Sequence, residues 1–128
     1  MVRRLRDQRG MTAIQVAILF PAILFWLMLT VQYGLWWHAK QVANAAAAEA
    51  VDAAQVSSGT ARDGEDAAAS YLAQSGNLDG ITVRVTRDPT VVTAEIHGDA
   101  PQLVPGFAWS VVARSAAPVE RFVPEAER

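Results

Sequence analysis

One uninterrupted apolar stretch, from Met11 to Trp37, limits what this chain can fold into more than any other feature. Its sequence is MTAIQVAILFPAILFWLMLTVQYGLWW, and it contains no charged residue. A helix of that length reaches roughly 40 Å, which exceeds the ~30 Å hydrocarbon core of a bilayer. The stretch therefore predicts a transmembrane helix over residues 11–37, with the lipid bilayer as its partner.

The residues before this stretch form a short basic segment, 1–10. It carries four arginines against one aspartate: Arg3, Arg4, Arg6, Arg9 and Asp7. Basic residues beside an apolar helix set its orientation in the membrane and are not a nucleic-acid footprint. They predict a single-pass protein of the cell membrane with a cytoplasmic N-terminus and an extracytoplasmic head, and no nucleic-acid partner. A cleaved signal peptide is an alternative, because Ala43-Asn44-Ala45 has the small-x-small pattern of a cleavage site.

Both ends of the apolar stretch carry residues suited to a membrane surface. Tyr33, Trp36 and Trp37 predict an aromatic belt at the membrane–water interface where the helix leaves the bilayer. Polar residues such as Gln15 and Gln32 lie near the two ends, where their side chains can reach the headgroups. In between, Pro21 predicts a kink or a locally melted turn.

The helix is expected to continue beyond the membrane over residues 38–55. This segment is rich in alanine, the strongest helix former, and contains neither proline nor glycine. One face of it carries only small apolar side chains, those of Ala39, Val42, Ala46, Ala50 and Ala53. A face of this kind permits close packing, either against the chain's own head or against neighbouring copies of the helix. The sequence leaves both open.

The remaining residues predict a small α+β head over 38–117 and a flexible tail over 118–128. Acidic residues and a weak apolar side indicate a short helix over 63–75. From Ile81 the apolar period changes to two, which predicts an antiparallel sheet of about three strands, at 81–87, 91–97 and 107–115. The residues expected to face the helix are Ile81, Val83, Val85, Val92, Ala94, Ile96, Phe107, Trp109, Val111 and Ala113.

The sequence offers little that could carry catalysis. It has two histidines, His38 and His97, and no cysteine, and it lacks a nucleophile elbow, a phosphate loop and a dinucleotide fingerprint. We therefore expect no enzyme, no catalytic residue, no metal, no cofactor and no small-molecule substrate. A membrane-bound hydrolase remains an alternative, because a Ser-His-Asp arrangement is recognised by geometry and not by sequence.

Two segments resemble the TadE-like family of pilin-like proteins from tight-adherence (Flp-type) secretion systems. The first is Arg9-Gly10 followed by MTAIQVAILFPAILF, and the second is WSVVARSAAPVERF at Trp109–Phe122. The resemblance implies a pilin-like fold and a bacterial minor pilin or pseudopilin that works by helix packing. Its implied partners are other pilin-like subunits, the pilus assembly machinery and, in members that are trimmed, a prepilin peptidase.

The same resemblance implies a processing site at the Gly10–Met11 bond, with residues 1–10 as the leader. The pilin pattern has a glutamate at the fifth residue after the cut, where this chain has Gln15. A glutamine forms hydrogen bonds but carries no charge to neutralise the amino terminus of a neighbouring subunit. A minor, initiating or regulatory subunit therefore fits better than the bulk pilin. The alternative is a bitopic membrane protein whose small head binds an envelope partner.

Overall fold

The computed structural model describes residues 4–76 and 78–121, and for residues 4–10 it describes the backbone only. Within this part of the chain, two helices precede three strands. They are α1 (Arg4–Gln55), α2 (Ala61–Ser75), β1 (Asp79–Arg87), β2 (Val91–Asp99) and β3 (Ser110–Pro118). The predicted fold is confirmed: a long apolar N-terminal helix leads into a head with a short helix and a three-stranded antiparallel sheet.

Helix α1 is one element of 52 residues that joins the apolar stretch to the head. It begins at Arg4, so most of the predicted leader is helical, and it runs through Pro21 without interruption. A proline removes one backbone hydrogen bond. The sequence predicts a kink or a locally melted turn at Pro21; the residues on both sides of it are helical, so the melted turn is not present.

The sheet has the order β1-β2-β3, with β2 in the centre and antiparallel to both neighbours. Val92, Ala94 and Ile96 alternate along β2 and are fully buried, as the period of two predicts. Val85 of β1 and Val111 and Ala113 of β3 lie on the same buried face, and these residues belong to one core with α1 and α2.

Strand β1 departs from its predicted pattern at its first residues. Ile81 was expected to face the core, but 42% of it is exposed. The pairing of β1 with β2 is irregular between Asp79 and Thr82, and Gly80 has φ +60°. This bulge changes the phase of the strand. Val85, beyond the bulge, is buried as expected.

Strand β3 lies three residues later in the chain than predicted, at 110–118 instead of 107–115. Its register pairs Asp99 with Ser110 and Val91 with Pro118. Phe107 is not in the strand, because a backbone hydrogen bond of 3.2 Å to Val104 places it in a turn next to Gly106, where φ is +88°. The segment 101–109 is therefore a loop between β2 and β3, and Phe107 does not contribute to the core.

Helix α2 begins two residues earlier than predicted because Thr60 caps it. The Thr60 hydroxyl accepts a hydrogen bond from the Asp63 backbone N–H at 3.2 Å, and Asp63 Oδ2 accepts one from the Thr60 backbone N–H at 2.8 Å. This reciprocal pair draws Ala61 and Arg62 into the first turn. The Thr60 hydroxyl also donates to Asp63 Oδ2, and these bonds hold the pKa of the Asp63 carboxyl below its ordinary value.

Glycine at position 64 allows the two helices to approach closely. A Cβ atom there would lie 2.6 Å from the Ala50 carbonyl oxygen and 3.1 Å from both Ala54 Cβ and Val85 Cγ1. These three neighbours belong to α1 and β1, so Gly64 lies where α2 contacts both the long helix and the sheet. A side chain fits only if the elements separate.

Replacing Gly64 with alanine is expected to lower the free energy of unfolding of the head by about 1–2 kcal/mol. The loss exceeds the helix-propensity gain of about 1 kcal/mol, because a backbone carbonyl cannot rotate away as a side chain can. Thermal unfolding in detergent micelles measures the change. Gly34→Ala is the matched control, since a Cβ at Gly34 meets nothing within 4 Å. Equal stability of the two variants would contradict the close approach.

The predicted tail 118–128 is tied to the head at its beginning. Pro118 is the last residue of β3, the Val119 N–H donates to the Thr90 carbonyl at 3.0 Å, and the Glu120 N–H donates to the Gln55 carbonyl at 2.9 Å. These bonds fix the chain against the end of α1. The remaining residues, 122–128, lie outside the described part of the chain.

Candidate functional site

The first half of α1 forms a long exposed apolar surface of the described chain. From Met11 to Val31 every side chain is exposed except Leu29, which is half-buried. These residues are apolar nearly throughout, and the helix is long and apolar enough to cross a membrane by length and composition. About 21 residues at about 1.5 Å each span roughly 31 Å, which matches the hydrocarbon thickness of a bilayer.

The leader and the predicted processing site lie at the start of the same helix. Arg3 is outside the described residues, and no side chain is described for Arg4, Arg6 or Arg9. The backbone of α1 passes through the Gly10–Met11 bond in helical conformation. A peptidase that cuts this bond must therefore first unwind at least a turn of α1.

Two polar residues of the exposed segment, Thr30 and Gln15, differ in their hydrogen bonding. Thr30 donates its hydroxyl to the Trp26 carbonyl at 2.9 Å, a bond within the helix that removes the cost of its polar group in lipid. Gln15 is exposed on α1, four residues after Met11. Its amide is free to reach the headgroups or a neighbouring helix.

Gln32 lies on α1 where the head begins, and its contacts were not predicted from the sequence. It is fully buried, although it was expected to reach toward the headgroups. Its Nε2 donates to the Pro101 carbonyl at 3.0 Å, and its Oε1 accepts from the Leu103 N–H at 2.8 Å and the Val104 N–H at 3.4 Å. One side chain thus fixes the loop 101–109 against α1.

Two further side chains continue this contact along α1. Trp36 Nε1 donates to the Ser110 carbonyl at 3.2 Å, and Lys40 Nζ donates to the Val112 carbonyl. With Gln32 they form a row at a spacing of four, which places all three on one side of a helix. The spacing of these three donors places them on one face of α1, but it does not identify the residues of the loop and of β3 that accept their hydrogen bonds.

The predicted aromatic belt forms one cluster with a residue from the loop. Tyr33 lies 5.8 Å from Trp36 and 6.5 Å from Trp37, measured between ring centroids. Trp36 meets Trp109 edge to face at 6.1 Å. Tyr33 and Trp37 remain about half exposed. The rings therefore lie at the junction between the exposed helix and the head.

The small-residue face of α1 is covered by the chain's own head. Ala39, Val42, Ala46 and Ala50 are buried, and Ala53 at the edge of the face is half-buried. Burial extends further around the helix than predicted, to Ala43, Ala47, Val51 and Ala54, because the sheet covers one side of α1 and α2 covers the other. In this conformation the face is not available to a neighbouring copy.

The solvent face of the sheet carries a small charged cluster. Glu95 lies between two partners, with Arg114 Nη2 at 2.8 Å and His97 Nε2 at 2.6 Å. The Arg114 guanidinium and then His97 hold the pKa of the Glu95 carboxyl below its ordinary value. Thr82 and Arg84, together with Glu95 and His97, line a small depression on this face.

The charged residues of this cluster pair with one another across neighbouring strands. Glu95 is paired in register with Arg114 on one side and Arg84 on the other, an arrangement that stabilises neighbouring strands. Among the described residues, no group of three or more histidine, aspartate or glutamate side chains could hold a metal ion. His38, the other histidine, is exposed on α1 at the level of the aromatic cluster.

Comparison with known proteins finds a similarity in the N-terminal part of the chain. Residues 10–52 match the family model of the TadE-like proteins, which confirms the resemblance. The match covers about a third of the chain, from Gly10 to Asp52 in α1. No curated protein and no solved structure matches the chain. The match lies within α1, the one helix among the described residues that is long and apolar enough to cross a membrane.

Proposed function

Because residues 10–52 match the TadE-like family, we propose that the protein is a membrane-anchored pilin-like subunit, a minor pilin or pseudopilin. It serves the assembly of a tight-adherence type pilus or a related secretion system. It acts by packing its helix against other subunits and the assembly machinery, and not by catalysis. The N-terminus lies in the cytoplasm and the head outside it.

One observation carries this proposal: the matched segment contains the apolar surface that the head leaves uncovered. Residues 11–31 lie within the match and are exposed, whereas the small-residue face further along α1 is already buried. In a membrane, helices associate through close packing and hydrogen bonds because lipid gives no hydrophobic drive between them. Gln15, exposed on this segment, offers such a hydrogen bond.

The structure also argues against the signal-peptide alternative. Cleavage after Ala45 would remove Ala39, Val42 and Ala43 from the core and take Gln32 away from the loop that it holds. The remaining head would expose the apolar face of its sheet. An uncleaved or leader-trimmed anchor keeps these contacts.

The N-terminal mass of the protein from its native membrane tests the proposal. We expect a start at Met11 if the leader is processed, or at Met1 if the anchor is retained whole, and a start after Ala45 would contradict the anchor. Gly10→Ala is the companion variant. Loss of processing and assembly supports a pilin-like subunit.

A second candidate is a bitopic protein whose head binds an envelope partner, and the charged outer face of the sheet favours it. Arg84, Glu95 and Arg114 are paired in register there and could meet a charged cell-envelope component. If Gly10→Ala left processing and assembly intact, this reading would replace the first.

A further inference from the structure

The loop 101–109 exposes apolar side chains where the transmembrane segment ends. Leu103 is 44% exposed and Phe107 is 46% exposed. No charged residue occurs between Asp99 and Arg114, so the loop and the residues that flank it are uncharged. Leu103 and Phe107 are thus large apolar side chains left half-exposed in an uncharged segment.

The hydrogen bonds of Gln32 fix the height of this loop along α1. Pro101, Leu103 and Val104 all bond to Gln32, the residue that follows the exposed segment 11–31. Ser110, bonded to Trp36, lies about one helical turn, roughly 5.4 Å, further from that segment. The loop is therefore the part of the head nearest to the exposed apolar helix.

This height coincides with the surface of a bilayer. The exposed segment is about as long as the hydrocarbon core is thick. Tyr33 and Trp37, exposed at the same level, are residue types that favour the membrane–water interface. The charges at this end of the sheet are those of Asp99 and of Asp79, which is paired with it. Asp99 is in register with Ser110, one turn higher, where headgroups and water are available.

We propose that the loop 101–109 is a second membrane-contacting element, which places Leu103 and Phe107 in the interfacial layer of the bilayer. The head then rests on the membrane through two contacts, the helix and the loop. Its partner is the lipid surface, because the loop is bonded to Gln32, directly beyond the exposed apolar segment of α1. The inference rests on the membrane anchoring in the proposed function.

Single-cysteine labelling tests this contact, since the natural chain has no cysteine. The full-length protein is reconstituted in vesicles and labelled with a polarity-sensitive fluorophore at Leu103→Cys or Phe107→Cys. Spin-labelled lipids that carry the quencher near the headgroup are then added to the vesicle composition. Val91→Cys is the matched control, because Val91 is similarly exposed, at 39%, but lies at the opposite end of the sheet.

We expect the labels at positions 103 and 107 to be quenched several-fold more than the label at position 91. Equal quenching at the three positions overturns the proposal. So does a label at 103 or 107 that becomes shielded from water but does not respond to the lipid quencher, because a second copy of the chain then covers the loop. Phe25→Cys, within the exposed segment, separates the two proposals when it is tested with lipids that carry the quencher on the acyl chain. If the label at position 25 is not quenched by these lipids, the anchoring fails. If it is quenched but the labels at positions 103 and 107 do not respond to the headgroup quencher, only the loop inference fails.

Discussion

Ala46→Leu is expected to lower the free energy of unfolding of the head by about 3 kcal/mol. Ala46 is fully buried in the core that α1 forms with α2 and the sheet. That core is built mostly from alanine and valine, so the backbones lie close together and leave no room for three more carbon atoms. For a head of this size the thermal midpoint should fall by roughly 12–24 °C.

Ala48→Leu is the matched control for this prediction. Ala48 is two residues away on the same helix and is exposed, so the same substitution there is expected to change stability by less than about 0.5 kcal/mol. Thermal unfolding followed by circular dichroism in detergent micelles compares the two variants. If Ala46→Leu were as stable as Ala48→Leu, the alanine face would not be the packed surface described above.

Gln32→Leu is expected to release the loop 101–109 from α1. Leucine has a similar volume but cannot bond to Pro101 or Leu103, and each unsatisfied backbone group costs about 1–3 kcal/mol where water is excluded. The most direct readout is hydrogen exchange of the Leu103 amide, which donates to Gln32 at 2.8 Å. We expect its exchange to accelerate strongly.

Gln41→Leu provides the comparison, because Gln41 is exposed on the same helix at a level beyond the loop. Its effect on the Leu103 amide is expected to be negligible. Unchanged exchange of that amide in Gln32→Leu would show that the loop is held by other contacts, such as the edge-to-face contact between Trp36 and Trp109.

Local patterns in the sequence were sufficient to predict the elements. The uncharged apolar stretch, the alanine-rich continuation and the change of period at Ile81 predicted a long helix, a small-residue face and a sheet. Each of these signals depends on neighbours within a few residues of one another. The buried Val92, Ala94 and Ile96 of β2 and half of the buried alanine and valine residues of α1 follow from them.

Contacts between distant residues could not be predicted in this way. Gln15 and Gln32 look alike in sequence, since each is a glutamine near an end of an apolar helix. One is exposed, whereas the other is buried by a loop some 69 residues later in the chain. The bounds of β3 were mispredicted for the same reason. Phe107 and Trp109 alternate like strand residues, but they belong to the loop that Gln32 and Trp36 hold.

The proposed function requires the exposed segment of α1 to meet other subunits within the membrane. A photo-crosslinking amino acid at Ile18, which is 71% exposed, tests it in the protein's own cells. The same group at Asn44, exposed on the head half of α1, is the control. We predict crosslinks from position 18 to pilin-like subunits or to the assembly machinery, and few from position 44. Crosslinks from position 18 to lipid alone would contradict the account.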